Sequence, residues 1–345
     1  MNQENKAAVV ILNWNGVHHL RLFLPSVVKN TPTALADVVV IDNNSHDESV
    51  ALILQEFPTV RLVQNTHNYG FAGGYNKGLQ SLTHSHWILL NSDVMVGPGW
   101  LSPLLDALSE PSTAAAQPII HAFDEPESFE YAGAAGGFID KYGYPFCRGR
   151  IFQHLEKDHG QYTDAREIFW ASGACMAIKK SAFDAAGGFD EEFFAHMEEI
   201  DLCWRMKNLG YSVQLCPQSS VLHLGGGTLS SLNPKKTYLN FRNNLMMLSK
   251  NLPLKHLLKV IPFRLVLDGI AGVYFLFQGK PAHCLAVVKA HFSFYASVPR
   301  LRVKRKMFRG KHREHLTGVY DGSLVAEAYL RKIRVFSALN PKKFS

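Results

Sequence analysis

The first hundred residues alternate short β-branched runs with amphipathic stretches of helical length, and no other feature limits the fold so tightly. The pattern belongs to a parallel sheet covered by helices. Strands are predicted at 7–13, 37–41, 59–64 and 86–90, and helices near 18–29, 47–57 and 73–83. Ser45, with Glu48 three residues on, reads as the N-cap of the second helix. Open α/β sheets collect ligands at the carboxyl ends of their strands. Those ends are Asn13-Trp14-Asn15-Gly16, Asp42-Asn43-Asn44-Ser45, Asn65-Thr66-His67-Asn68 and Asn91-Ser92-Asp93. Each is polar, and each directly follows an apolar strand.

Further along, glycines crowd residues 133–149, which read as loop or hairpin, and a second apolar unit at 168–178 precedes GGFDEEFFAHMEEIDLCWRMKNLGY at 187–211. From residue 252 apolar residues mix with Lys and Arg, the texture of helices packed on something apolar. The chain is expected to divide near residue 233, into 1–233 and 234–345. Its 345 residues, 47% of them hydrophobic, suffice for one large or two ordinary domains and exclude wholesale disorder. Five cysteines without a CxxC pair exclude a zinc ribbon and point to a reducing compartment. The run 7–12 is too short for an export signal or a span, so a cytoplasmic location is expected.

Charge is divided unevenly along the chain. Residues 1–233 carry 14 Lys/Arg against 25 Asp/Glu, net −11, whereas 234–345 carry 22 against 4, net +18. One part is thus set up for chemistry and the other to meet a polyanion. Eight Lys/Arg without an acid lie in 300–313, which suits a nucleic-acid-binding module or an anionic membrane. The strongly apolar stretch before it favours the membrane. Residues 257–277 resemble a span, but Lys259, Arg264 and Asp268 interrupt it, so an interfacial arrangement fits better.

Five motifs could carry chemistry. Asp93, at a strand end beside an amide and a hydroxyl, can help hold Mg²⁺ or Mn²⁺ through oxygen. Asp42 can form an Asx turn or accept hydrogen bonds from a base or ribose. NTHNYGFAGGYNKGL at 65–79 is neither GxGxxG nor GxxxxGK, yet its glycines allow close backbone approach to a diphosphate or tight packing of a helix. MEEIDLCWR supplies Glu198, Glu199 and Asp201. Asp201 is set for an i,i+4 pair with Arg205, while Phe193, Phe194 and Met197 form an apolar wall that would raise a neighbouring carboxylate toward general-base work. The same acids could serve glycoside hydrolysis, although the polar strand ends argue for a nucleotide. His223, followed by three glycines, is either a packed core histidine or a ligand.

Taken in order, VVILNWNG, IDNNSHDES, NYGFAGGYNKG, LLNSDV, WASGACMAIKKSAF, GGFDEEFFAHMEEIDLCWR and HLGGGT resemble the inverting family-two glycosyltransferases. Within that family the likeness is to the bacterial branch of rhamnosyltransferases and other cell-envelope sugar transferases. The resemblance spans roughly residues 7 to 230. It implies the GT-A fold: a nucleotide-sugar-binding α/β domain with a mostly parallel central sheet, here followed by a helical basic region. It further implies a nucleotide-diphosphate sugar, expected to be dTDP- or UDP-linked, and a saccharide acceptor; the basic, apolar rear third adds the expectation that this acceptor is lipid-linked and met at the inner face of the plasma membrane. Asn13, Asp42, Asn44, Asn68, Gly70, Gly73, Asn76 and Ser92 would bind the nucleotide sugar, with Asp42 on the base. Asp93, last position of the DxD motif, and His223 would hold Mg²⁺ or Mn²⁺. Glu199 would be the base, with Glu198 as competitor, and Trp170, Ser172 and Gly173 would shape the acceptor side. Two departures stand out: Asn91 replaces the first DxD aspartate, and Glu199 stands where the family usually has Asp.

Overall fold

The computed structural model describes residues 6–225 and 233–345. Residues 1–5, together with Gly226, Gly227 and Thr228 of the HLGGGT stretch, lie outside the described residues. The opening segment runs β1 (Ala7–Asn13), α1 (Val17–Asn30), β2 (Ala36–Asp42), α2 (Ser49–Glu56), β3 (Arg61–Gln64), α3 (Gly70–Leu79) and β4 (His86–Asn91), following the predicted alternation to within a few residues. Strand β1 is buried on both faces, as an all-apolar strand between helices must be. Helix α1 presents Leu20, Phe23, Leu24 and Val27 to the sheet, an i, i+3, i+4, i+7 stripe.

Helix α3 begins three residues earlier than its sequence suggests. Glycines discourage a helix through backbone entropy, but here they set its packing distance. A Cβ on Gly78 would come within 2.4 Å of Ile41, and one on Gly74 within 2.9 Å of Leu12. The helix therefore lies against β1 and β2 with nothing but backbone between. At the start of α2 the expected cap is corrected. Ser45 does not cap the helix: the Asp47 carboxylate accepts from the Ser49 amide at 3.0 Å and also from the Val17 amide at 2.9 Å. A carboxylate that ties two elements together wins over a hydroxyl serving one.

The chain continues with β5 (Val94–Val96), α4 (Ser102–Ser109), β6 (Thr113–Ala122), β7 (Gly137–Asp140), β8 (Pro145–Cys147), β9 (Arg150–Ile151), β10 (His154–Leu155) and β11 (Arg166–Ile168). Next come β12 (Cys175–Lys179), α5 (Lys180–Ala186), α6 (Glu198–Asn208) and β13 (Ser212–His223). Among the described residues the main sheet runs β11-β13-β6-β12-β4-β1-β2-β3, with β5 attached to β13. It is parallel from β4 through β1 and β2 to β3, whereas β12 runs antiparallel to β4 and β6, so the sheet is mixed. The glycine-rich 133–149 stretch contributes the β7–β8 hairpin to a second sheet, β10-β9-β8-β7-β14. Its edge strand β14 (Val319–Tyr320) comes from the end of the chain.

Three long helices fill most of the remainder: α7 (Pro234–Asn251), α8 (Leu254–Phe277) and α9 (Pro281–Met307). Leu245, Met246, Met247 and Leu248 of α7 and Phe294 and Leu301 of α9 join the same apolar cluster as Trp87, Phe169 and Trp204. Residues on either side of position 233 thus share one core. Part of the basic run serves this packing as well. Lys304 donates to Asp190 at 2.6 Å, Arg300 to Glu192 at 3.2 Å, and Arg305 to the Ser249 carbonyl at 3.0 Å.

Candidate functional site

The carboxyl ends of β1 and β2 are adjacent because the two strands pair in parallel, Asn13 opposite Asp42. Asn13 donates to the Asp42 carboxylate and to the Ser45 hydroxyl, both at 3.2 Å, and the Ser45 amide returns to Asp42 at 2.9 Å. Asp42 therefore closes the Asx turn that its sequence allows, and it is almost fully buried. A carboxylate has further acceptor positions beyond the two used here. The Asn13 side-chain oxygen Oδ1 is buried without a partner among the described residues. Above it Gly16 keeps the space open, since a Cβ there would sit 2.4 Å from that oxygen. Asn15 and Asn44, both at positive φ, shape the same rim. An enclosed acceptor without a partner at paired strand ends is a group that a polar ligand could satisfy.

Asn43 organises the next loop. Its amide nitrogen donates to Asn68 at 2.9 Å and to the Gly70 carbonyl at 3.0 Å, while its oxygen accepts from Asn65 and from the Tyr69 amide. Asn68 also accepts from the Gly70 amide at 2.9 Å, and Gly70 takes the positive φ that this turn needs. Asn76 is committed elsewhere. Its amide exchanges hydrogen bonds with the Phe189 backbone and donates to Glu191, tying α3 to the segment before α6. Gly73 packs on Tyr69.

Strand pairing makes the second cluster. Val94 lies opposite His223 in the β5–β13 ladder, so Asp93 stands beside the imidazole, its Oδ1 3.2 Å from Nε2. Asn91 approaches the same nitrogen at 3.3 Å. On the other side of the ring, Glu130 lies 3.3 Å from Nδ1. Burial would raise the Asp93 carboxyl, but the hydrogen bond and charge of His223 outweigh it and hold it below the usual range. Burial would likewise depress His223, yet the two carboxylates push it up to about 10. The pocket is thus built around positive charge, carried by the imidazolium proton and open to competition from a cation. Oxygen and imidazole donors suit Mg²⁺ or Mn²⁺, and a carboxylate on the far ring nitrogen is the usual support of a ligating histidine. Among the described residues no cluster of three or more His, Cys, Asp or Glu could hold a metal, so a ligand would have to complete the shell. Ser92 is half-buried between Asn91 and Asp93.

The third cluster heads α6. The backbone before it is strained: Phe194, His196 and Met197 all take positive φ. Asn243 of α7 secures that loop, its amide nitrogen within 2.9 Å of the Phe193, Ala195 and His196 carbonyls. Glu198 is buried and Glu199 half-buried, each with one enclosed oxygen lacking a partner among the described residues. Burial, then repulsion from Glu199, raises Glu198 well above the carboxylate range, and burial lifts Glu199 to about 7. A carboxyl poised near neutrality can exchange a proton with a substrate hydroxyl. Asp201 cannot share this work. It is enclosed by Arg205, Lys250 and Asn251, each at 2.8 Å, and forms the ion pair that its spacing predicts.

On the remaining side, Trp170 is core, its indole donating to the Phe138 carbonyl at 2.9 Å. Ser172 is buried, holding the Ala174 amide and donating its own amide to Gln117. Gly173 leaves room for the Phe71 ring, 3.2 Å from where a Cβ would be. Sequence reasoning missed Glu130, Asn43 and Asn243. Glu130 and Asn243 offer no local signal, whereas Asn43, next to Asp42 at a strand end, carried one.

Known proteins extend this picture. Residues 8–187 match the model of the Glycosyl transferase family 2. An N-acetylglucosaminyl-diphospho-decaprenol L-rhamnosyltransferase of Mycobacterium tuberculosis is 30% identical over 234 residues, covering 62% of this chain and 75% of that protein. The structure of GalNAc-T7 with UDP, GalNAc and Mn2+ superposes with a TM-score of 0.60 at 18% identity, covering 90% of this chain and 55% of that one. That of the mannosyltransferase PcManGT from Pyrobaculum calidifontis, in complex with GDP-Man and Mn2+, gives 0.53 at 13% identity, covering 84% and 87%. Both likenesses concern the fold. With strand-end polar clusters on a mixed α/β sheet and a family match over more than half its length, the chain belongs to glycosyl transferase family 2 and is a glycosyltransferase with the GT-A fold.

Proposed function

We propose that the protein transfers a sugar, with inversion, from a dTDP- or UDP-linked donor to a hydroxyl of a lipid-linked saccharide in cell-envelope glycan synthesis. The reaction would take place at the cytoplasmic face of the plasma membrane. The observation that carries this reading is the pairing of two sites: the Asp93–His223 pair, built around positive charge, and the two carboxyls that head α6, both raised by burial. The relative that acts on a decaprenol-linked acceptor supports the choice of acceptor, and the Mn2+ in both structural neighbours supports a divalent cation.

In this reading Asn13, Asp42 and Asn44 receive the base and ribose, while the Asn68–Gly70–Gly73 turn and Ser92 line the sugar diphosphate. Asn76 acts through the wall it braces, and Trp170, Ser172 and Gly173 set the shape of the acceptor side. Asp93 and His223 would hold Mg²⁺ or Mn²⁺, with Glu130 fixing the ring. When bound, such a cation offsets the charge that gathers on the departing diphosphate. Glu199 takes the acceptor's hydroxyl proton as that oxygen bonds to the anomeric carbon. The carbon's bond to the diphosphate oxygen breaks on the opposite face, and its electron pair leaves with the nucleoside diphosphate. Glu198, more deeply buried and raised by burial and by the charge of Glu199, leaves Glu199 the better placed to act as base.

Transfer to a short-chain acceptor from dTDP- and UDP-sugars, followed by NMR assignment of the product's anomeric configuration, tests this. An inverted product, formed only with added Mg²⁺ or Mn²⁺, is expected. Retention, or full turnover in EDTA, would overturn the mechanism.

A further inference from the structure

We propose that the outward faces of α8 and α9 form a docking surface for an anionic lipid bilayer, with the two helices lying in the plane of the interface. This deepens the proposed membrane-side function and rests on it. The argument begins with the inverted polarity of α8. By length and composition this helix could cross a membrane. Its buried stripe is Val260, Arg264, Asp268 and Gly272, so the Arg264–Asp268 pair at its middle faces the protein while Lys255 and Lys259 near its start stay exposed. Arg264 donates to Asp268 at 3.2 Å, to Asn244 at 2.7 Å and to the Tyr142 carbonyl at 3.0 Å, and His291 of α9 lies 3.4 Å from Asp268. Its apolar side chains point the other way: Val266 is 60% exposed, Ile270 61% and Phe277 86%. Helix α9 adds Leu285 and Phe292, the latter 71% exposed, while keeping Ala286 and Ala290 inside. A surface helix in water has the opposite arrangement, whereas polar-inward and apolar-outward is the arrangement of a helix against lipid.

Charge identifies the kind of surface. Between residues 234 and 307 Asp268 is the single carboxylate in the sequence, and it is buried. Lys255, Lys259, Lys280, Lys289 and Arg302 are exposed beside the apolar side chains. A face of cations and apolar groups without an anion complements acidic headgroups over acyl chains, and it repels a second copy of itself. Crossing the bilayer is prevented by the same bonds that invert the helix. Arg264 anchors the middle of α8 to Tyr142 and Asn244, and the Phe263 ring lies 4.4 Å from that of Tyr142. The middle of the helix could not enter the hydrocarbon without taking the globular part along, so insertion stops at side-chain depth.

The test is flotation of the full chain with vesicles of phosphatidylcholine alone or mixed with phosphatidylglycerol, at low and high salt. We expect flotation with the mixed vesicles that weakens as salt screens the headgroups. The triple substitution Val266→Ser, Ile270→Ser, Phe292→Ser should weaken it about tenfold or more. Lys255→Gln, Lys259→Gln, Lys289→Gln should remove the preference for acidic lipid. Thermal unfolding and transfer to a short-chain soluble acceptor, measured in parallel, should be unchanged in both variants. Failed transfer by a chain that floats would overturn the enzymatic reading alone. Normal transfer without flotation would overturn the docking surface. Two further results would also overturn it: a dimer that Phe292→Ser splits, which assigns the face to a second copy, and salt-resistant flotation indifferent to lipid charge, which assigns α8 to a span.

Discussion

Helices α6 and α8 carry the same sequence device, an arginine and an aspartate four residues apart, and put it to opposite uses. In α6 the Asp201–Arg205 pair lies deep among Lys250, Asn251 and the Ala186 and Gly188 carbonyls, and it anchors the helix whose first turn holds Glu198 and Glu199. In α8 the Arg264–Asp268 pair occupies the buried stripe of a helix whose outward side is apolar but for Lys255 and Lys259 near its start. A buried ion pair adds little net stability, because desolvation cancels most of the attraction. What it supplies is direction. In α6 it fixes where carboxylates stand, and in α8 it fixes which face looks outward.

That comparison can be broken most forcefully in α6. Asp201→Ala leaves Arg205 without its carboxylate and should cost about 3–5 kcal/mol in urea unfolding, the usual loss when one partner of a buried pair is removed. Arg264→Met should cost somewhat less, about 3 kcal/mol. There the orphaned Asp268 keeps His291 as a neighbour at 3.4 Å. Equal losses would mean that α8 is held as deeply as α6. Glu199→Gln sharpens the functional side, lowering kcat about 10²-fold with little change in donor KM. Its stability should move the other way. The folded carboxyl titrates at about 7 against 4.5 unfolded, so ionising it costs folding energy that is absent below pH 4.5 and complete above 7. Differential unfolding should therefore find Glu199→Gln more stable than the native chain above pH 7 and equal to it in acid. The smallest effect is expected from Asn243→Ala, about 1–2 kcal/mol, with a lowered kcat as the strained loop before α6 relaxes.

The α/β order was legible because hydrophobic periodicity is a local property, and the polar strand ends followed from it. Helix α3 was read late because Gly70 signals a loop, whereas Gly74 and Gly78, already read as helix, are there for contact with Leu12 and Ile41. The Ser45 cap failed for a tertiary reason: Asp47 is bonded to Val17 of another element. Asp93 and His223 drew attention separately, but their contact depends on the β5–β13 ladder and spans 130 residues of chain. Glu130 was invisible for the same reason, since it reaches His223 only after the chain turns back beside β6. The outward apolar face of α8 was hidden for another reason. Composition shows that charges interrupt the run, not which way they turn.

The claim that Glu199 removes the acceptor proton is tested most directly by the pH dependence of kcat/KM, in the native chain and in Glu199→Gln. The account predicts that the native rate rises with pH through an inflection near 7, where Glu199 loses its proton, and that the variant is slow with no such inflection. A variant that keeps both the native rate and its inflection, while Glu198→Gln loses them, would contradict the account and assign the base to Glu198.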